Sequence, residues 1–104
     1  MALTPTQLTL REMRRRGYHC EVVERWCSFT RTRRDLFGFV DVLCLGSDEV
    51  VAVQATSYAN VPSRVRKIRD HENVGAVRDA GIGIIVLGWR KVKNRWTFRE
   101  VDLS

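Results

Sequence analysis

The chain has 104 residues, 44% of them apolar, enough for one hydrophobic core and too few for two domains; wholesale disorder is excluded. Its net charge of +6, from 18 basic and 12 acidic residues, points to a polyanionic partner, nucleic acid first. No apolar run approaches the roughly 20 residues that cross a bilayer, and Met1-Ala2-Leu3-Thr4-Pro5 has neither the basic start nor the apolar stretch of a signal peptide, so a cytoplasmic protein without a membrane partner is predicted.

In chain order, Thr4-Pro5-Thr6-Gln7 opens a helix: Thr4 as N-cap, Pro5 at the first position and Gln7 completing a capping box. The helix is predicted to run to Arg16, with Gly17 as its left-handed stop. Tyr18 to Trp26, rich in β-branched and aromatic residues, reads as a first strand, and Ser28 to Asp35 as a polar, arginine-rich connection. Phe39 to Leu45 and Val50 to Ser57 form two strands around the Gly46-Ser47-Asp48-Glu49 turn. A helix is predicted from Asn60-Val61-Pro62, reaching Ala80 directly or through a second short helix, with Gly81 ending it. Ile82 to Trp89 is a strand buried on both faces, Lys91 to Asn94 a turn, and Arg95 to Val101 an alternating edge strand. The order α-β-β-β-α-β-β gives an α/β domain spanning 1–104: a mixed central sheet flanked by helices.

The three cysteines (Cys20, Cys27 and Cys44) form no CxxC pair, and neither His19 nor His71 stands at ligand spacing from one. That pattern argues against a disulfide framework or a zinc site and for free cysteines in a reducing compartment. Of the 18 basic residues only Lys67, Lys91 and Lys93 are lysine. Arginine's planar fork suits phosphate contact better than solubility alone requires. Arg31, Arg33 and Arg34 precede the second strand, while Arg64, Arg66 and Lys67 follow the third, so these six are predicted to form a positive rim at one edge of the sheet. Nothing in the sequence matches a recognition helix, an RRM signature or a zinc finger. Contact with the phosphate backbone, including that of branched or single-stranded DNA, is the inference.

If the hairpin turn is centred between Ser47 and Asp48, Asp41 lies across from Gln54 and Thr56 is diagonal to it on the same face. Directly opposed Cβ atoms lie about 4.5–5.5 Å apart, close enough to share a metal ion. Val42/Val53 and Cys44/Val51 occupy the other face, and Leu43/Ala52 and Leu45/Val50 continue the face of Asp41, so both faces are apolar. An ionised carboxylate there costs several kcal/mol unless paired, hydrogen-bonded or bound to a cation. Two explanations fit equally: a functional site, or a structural one in which Asp41 bonds Gln54 or caps a neighbouring backbone amide.

The segment Phe37-Gly38-Phe39-Val40-Asp41-Val42-Leu43 followed by Val51-Ala52-Val53-Gln54-Ala55-Thr56-Ser57 resembles the two motif strands of PD-(D/E)XK nucleases. Arg16-Gly17-Tyr18, Gly81-Ile82-Gly83-Ile84 and Arg95-Trp96-Thr97-Phe98 are similar to the flanking elements of archaeal Holliday junction resolvases, so the likeness covers nearly the whole chain. The Arg34-Asp35-Leu36-Phe37-Gly38-Phe39 lead-in and the Gln-x-Thr-Ser ending also resemble small phage and prophage proteins. The resemblance implies a restriction endonuclease-like core and a DNA-cleaving phosphodiesterase. It further implies Mg²⁺ or Mn²⁺ held by Asp41, Gln54 and the carbonyl of Ala55. Gln54 stands where the family has its second acid, and Thr56 where it has a lysine. Asp35 from the preceding loop, Lys67 or Arg64 from the following helix, and Gln7 or Glu12 from the first helix are candidate replacements. Each also has an ordinary role: Asp35 in a turn, Lys67 on a solvated face, Gln7 in the capping box. Three functions follow: a metal-dependent endonuclease, a DNA-binding module of the same fold without hydrolysis, and a homodimer that completes its site across subunits.

Overall fold

A computed structural model describes residues 3–104, so the Met1-Ala2 start of the sequence lies outside the described residues. Helix α1 (Pro5–Arg15) begins as its sequence dictates: Thr4 Oγ1 accepts from the Gln7 N–H at 3.2 Å, and Gln7 Oε1 accepts from the Thr4 N–H at 2.9 Å. Its buried stripe of Leu8, Thr9 and Met13 lies against one face of a five-stranded sheet. Trp89 fastens the contact, its indole Nε1 donating to the buried Thr9 Oγ1 at 2.9 Å. Without that acceptor the indole N–H would be buried unpaired.

The sheet contains β1 (His19–Val22), β4 (Val42–Leu45), β5 (Val50–Ser57), β6 (Ile82–Val92) and β7 (Arg95–Asp102), in the spatial order β1-β4-β5-β6-β7. Strands β5 and β6 are parallel and the other neighbours antiparallel, which gives the mixed sheet the sequence implies. Parallel neighbours need a crossover. Here it is a 3-10 turn (Tyr58–Asn60) followed by α2 (Val61–Arg69) and α3 (Val74–Asp79), which bury Val61, Val65, Ile68, Val74 and Val77 against the face opposite α1. The central strands therefore have two cores, with Val51 and Val53 in the α1 core and Ala52, Ile84 and Val86 under α2 and α3. Strand β7 forms one edge, joined to β6 by a tight turn in which Lys93 and Asn94 both have positive φ, of 50° and 63°. This is the hairpin geometry that matches strand twist.

Two segments depart from the sequence-based expectation. The predicted strand Tyr18–Trp26 breaks at Val23-Glu24: β1 stays in the main sheet, while β2 (Arg25–Cys27) leaves it. The predicted connection Ser28–Asp35 is half a ribbon, because β2 pairs with β3 (Thr32–Arg34) in a separate two-stranded sheet. The ribbon has no apolar face, so its ladder rests on backbone pairing that hydrophobic periodicity does not report. The predicted strand start at Phe39 also moves inward, to Val42.

Cys20 and Cys44, paired across β1 and β4, are buried free thiols with Sγ atoms 3.3 Å apart, and Cys27 is on the ribbon. No helix among the described residues is long and apolar enough to cross a membrane.

Gly88 allows the crossover to sit down on the sheet. A Cβ at this position would lie 2.1 Å from Val61 Cγ2 and 3.1 Å from the Ser57 carbonyl oxygen. Gly88→Ala should therefore lower unfolding free energy by about 1–3 kcal/mol in urea titrations, as overpacking does. Val61→Ala in the same chain should recover part of that loss.

Candidate metal centre beside an arginine-lined cleft

Asp41 is the point at which β4 leaves its partner. The ladder pairs Val42 with Val53, Leu43 with Ala52, Cys44 with Val51 and Leu45 with Val50, the register expected from the turn. One further step would set Asp41 opposite Gln54, but the Asp41 N–H instead donates to the Val53 carbonyl at 3.0 Å. Just before it, Leu36 and Val40 close a tight turn, with Phe37 at φ 57° and Gly38 at φ 89°. Val40 and Val42 would share a face in a continuous strand. Val40 instead packs under α2 and α3, and Val42 packs under α1.

Gly38 is required twice over. Its φ suits glycine, and a Cβ there would lie 2.3 Å from His71 Nε2.

The break frees the Ala55 N–H from the ladder, and Asp41 Oδ2 accepts it at 2.9 Å. Asp41 thus caps a neighbouring amide, one of the two roles its sequence position allowed. The cap uses one carboxylate oxygen and leaves the other. Strand alternation turns the Ala55 carbonyl to the same side as the Val53 carbonyl, beyond the end of β4. Gln54 and Thr56 lie on the face of Ala52, under α2 and α3. Both are buried, Gln54 at 3% exposure, and Gln54 Oε1 has no hydrogen-bond partner among the described residues. An unsatisfied buried amide oxygen is costly and marks a position suited to an additional donor or a cation.

Two further acids meet Asp41. The Val23 N–H donates to the Asp41 carbonyl at 2.9 Å, which pins the end of β1 and delivers Glu24, the next residue. Asp35 arrives from the end of β3. One carboxylate oxygen each from Glu24, Asp35 and Asp41 lies within 4.8 Å of the other two. Glu24 was not among the sequence-derived candidates. A lone acid after a β-branched run carries no local signal, and only the break between β1 and β2 turns it toward Asp41.

Neighbouring oxygens of an octahedral Mg²⁺ lie roughly 3 Å apart and opposite ones about 4 Å apart, given metal–oxygen distances of about 2.0–2.1 Å. The three carboxylates are hard oxygen donors gathered closely enough to hold a metal ion, at a spacing up to 4.8 Å that is wider than this octahedron. Of the expected set of Asp41, Gln54 and Ala55, Asp41 belongs to this acidic group, and Glu24 and Asp35 are the further carboxylates that the structure brings to it.

The basic residues divide. Arg33, Arg34 and Lys67 line one cleft of about 380 Å³ with Asp35 and Gly38, so the arginine ribbon and α2 do meet beside the acids. Arg33 also pairs with Glu24 at 3.3 Å. Arg31, in the ribbon turn, and Arg64 and Arg66, on α2, are not among the residues lining this cleft. The first-helix candidates are on the other face of the sheet. Gln7 is held in the capping box, and Glu12 pairs with Arg15 at 2.7 Å and Arg16 at 2.8 Å. Those ion pairs, opposed by partial burial, hold the Glu12 carboxyl below its usual range.

Burial pushes the Asp41 carboxyl up to about 7. The Ala55 N–H opposes the rise, and the neighbouring carboxylates of Asp35 and Glu24 add to it. The folded chain holds this proton up to about pH 7, whereas the unfolded chain releases it near 3.8. Its stabilising contribution is therefore full below the unfolded value and is lost as pH rises through the folded one. In metal-free urea titrations, Asp41→Asn should be more stable than the parent at pH 8, with the difference shrinking toward pH 5. A parent chain that gains stability relative to Asp41→Asn between pH 5 and pH 8 would contradict this environment.

No protein-family model matches this sequence, and no curated protein or solved structure matches it.

Proposed function

We propose that this chain is a divalent-metal-dependent DNA endonuclease of PD-(D/E)XK type, with its acids redistributed onto Glu24, Asp35 and Asp41. The reading rests on one observation: three carboxylates converge beside a cleft lined by Arg33, Arg34 and Lys67. Elsewhere such a cluster would only repel itself. Here basic side chains suited to a phosphodiester stand on its rim.

In this mechanism Glu24, Asp35 and Asp41 hold the cation, and the Ala55 carbonyl and Gln54 Oε1 are neutral oxygens on the same stretch of β5. A bound divalent cation supplies Lewis acidity and positive charge for the transition state of phosphodiester hydrolysis. Arg33 and Arg34 grip the phosphate from the ribbon side, and Lys67 approaches it from α2. Lys67 supplies the positive charge that Thr56, buried and uncharged, does not. The Ala55 N–H fixes the Asp41 carboxylate, so its free oxygen is oriented before any ligand arrives.

The absence of a cation at Thr56 favours a second reading, a module of the same fold that binds DNA without cutting it. The two separate on synthetic four-way junctions, single strands and duplexes incubated with Mg²⁺ or Mn²⁺. The endonuclease reading expects metal-dependent cutting that falls at least a hundredfold in Asp41→Ala and Glu24→Gln. Lys67→Ala should reduce the rate while leaving metal binding intact. Salt-sensitive binding without cutting in either metal identifies the binding module, and failure to bind any nucleic acid at low salt removes both readings.

Metal binding has its own readout. At pH 8, Mn²⁺ at about a hundred times its dissociation constant should stabilise the parent by roughly 2–3 kcal/mol and leave Asp41→Asn unchanged in thermal melts.

A further inference from the structure

The β2–β3 ribbon contains the most exposed aromatic side chain on the molecule, and neither the sheet nor the acid cluster uses it. Phe29, in the four-residue turn between Cys27 and Thr32, is 95% exposed, and Trp26 on the adjoining strand is 60% exposed. Single exposed apolar residues are ordinary. This pair is different in its setting: Arg25 to Arg34 holds four arginines and no acidic residue. The register sets Arg25 directly opposite Arg34 and Trp26 directly opposite Arg33. Like charges facing each other across a ladder are destabilising, and a two-stranded ribbon with no buried face is marginal in water. Both costs are offset when a polyanion lies along the ribbon. At the ribbon's base, Arg33 and Arg34 reach the cleft that also contains Asp35.

We propose that this ribbon is a base-stacking wedge. Arg25, Arg31, Arg33 and Arg34 bind phosphates while Phe29 stacks on, or inserts beside, an unpaired or unstacked base, with Trp26 flanking it. Stacking on an aromatic ring needs an exposed base face, which single strands and branch points offer and a continuous duplex does not. The preferred partner is therefore DNA with unpaired nucleotides at a branch or in a single strand, delivered with its backbone toward Glu24, Asp35 and Asp41. The inference builds on the nucleic-acid reading above but needs no hydrolysis, so the two can fail separately.

The test is binding in EDTA to a four-way junction and to a single strand carrying 2-aminopurine, with a continuous duplex of equal length as reference. Phe29→Ala, at a position too exposed to affect folding, should weaken junction and single-strand binding roughly ten- to hundredfold, the range expected for one lost stack. It should abolish the protein-induced change in 2-aminopurine fluorescence and leave duplex affinity within about twofold. Phe29→Trp should restore both signals. Arg31→Ala should instead lower the salt dependence of single-strand binding by about 0.7 in the log–log slope and keep the fluorescence change. Equal junction affinity for the parent and Phe29→Ala would overturn the wedge, whether or not the protein cuts DNA. So would tighter parent binding to the duplex than to the junction, or a Phe29 requirement seen with anionic lipid vesicles and not with DNA. Cutting lost in Asp41→Asn with the Phe29 effect retained leaves the wedge standing and separates it from the catalytic proposal.

Discussion

Asp41 uses all three of its polar groups to end a strand, and the arrangement of the site follows from that. Its N–H goes to the Val53 carbonyl, its own carbonyl takes the Val23 N–H, and its carboxylate takes the Ala55 N–H. The first contact shifts β4 off its ladder, the second fixes where β1 stops, and the third occupies the amide that the shift exposes on β5. Glu24 follows Val23, so pinning Val23 delivers one acid. Asp35 precedes the Leu36–Val40 turn, whose positive φ values at Phe37 and Gly38 reverse the chain just before Asp41. A uniform β-ladder would satisfy the same backbone groups at lower cost and would not gather three carboxylates. A break in regular pairing at such a point is the kind of departure that functional positions retain.

The electrostatic consequence is a local conflict. Desolvation and the neighbouring carboxylates favour a protonated Asp41, while the single Ala55 N–H favours the anion. Among the described residues, Arg33 is the basic group in an ion pair with an acid of the cluster, meeting Glu24 at 3.3 Å. The acids are therefore under-compensated, and the surrounding Arg34 and Lys67 stand on the rim rather than in direct ion pairs. On the proposed reading, a cation would meet the acids on the inside and a phosphate the basic rim on the outside.

The two faces of the sheet have separate tasks. Beneath α1 the contacts are apolar and closed by the Trp89–Thr9 hydrogen bond. Beneath α2 and α3 the same kind of core is interrupted by Asp41, Gln54 and Thr56, the buried polar residues on that side. Gly88 allows the crossover to rest on β6 without a side chain between them, which brings Val61 at the start of α2 down onto the sheet.

Local chemistry in the sequence determined the capping box at Thr4–Gln7, the two-sided burial of β4, β5 and β6, the hairpin register up to Val42–Val53, and Asp41 as a charge in an apolar setting. Each follows from short-range rules, capping or periodicity, that need no knowledge of the remainder of the chain. Tertiary structure alone decided the strand break at Val23-Glu24, the pairing of β2 with β3, the approach of Glu24 and Asp35 to Asp41, and the exclusion of Gln7 and Glu12 to the far face. These depend on which backbone donor meets which acceptor, across 5 to 9 residues between β2 and β3 and 12 to 18 residues around Asp41. Hydrogen bonds of this kind leave no trace in hydrophobic periodicity, because N–H and C=O are the same in every residue but proline.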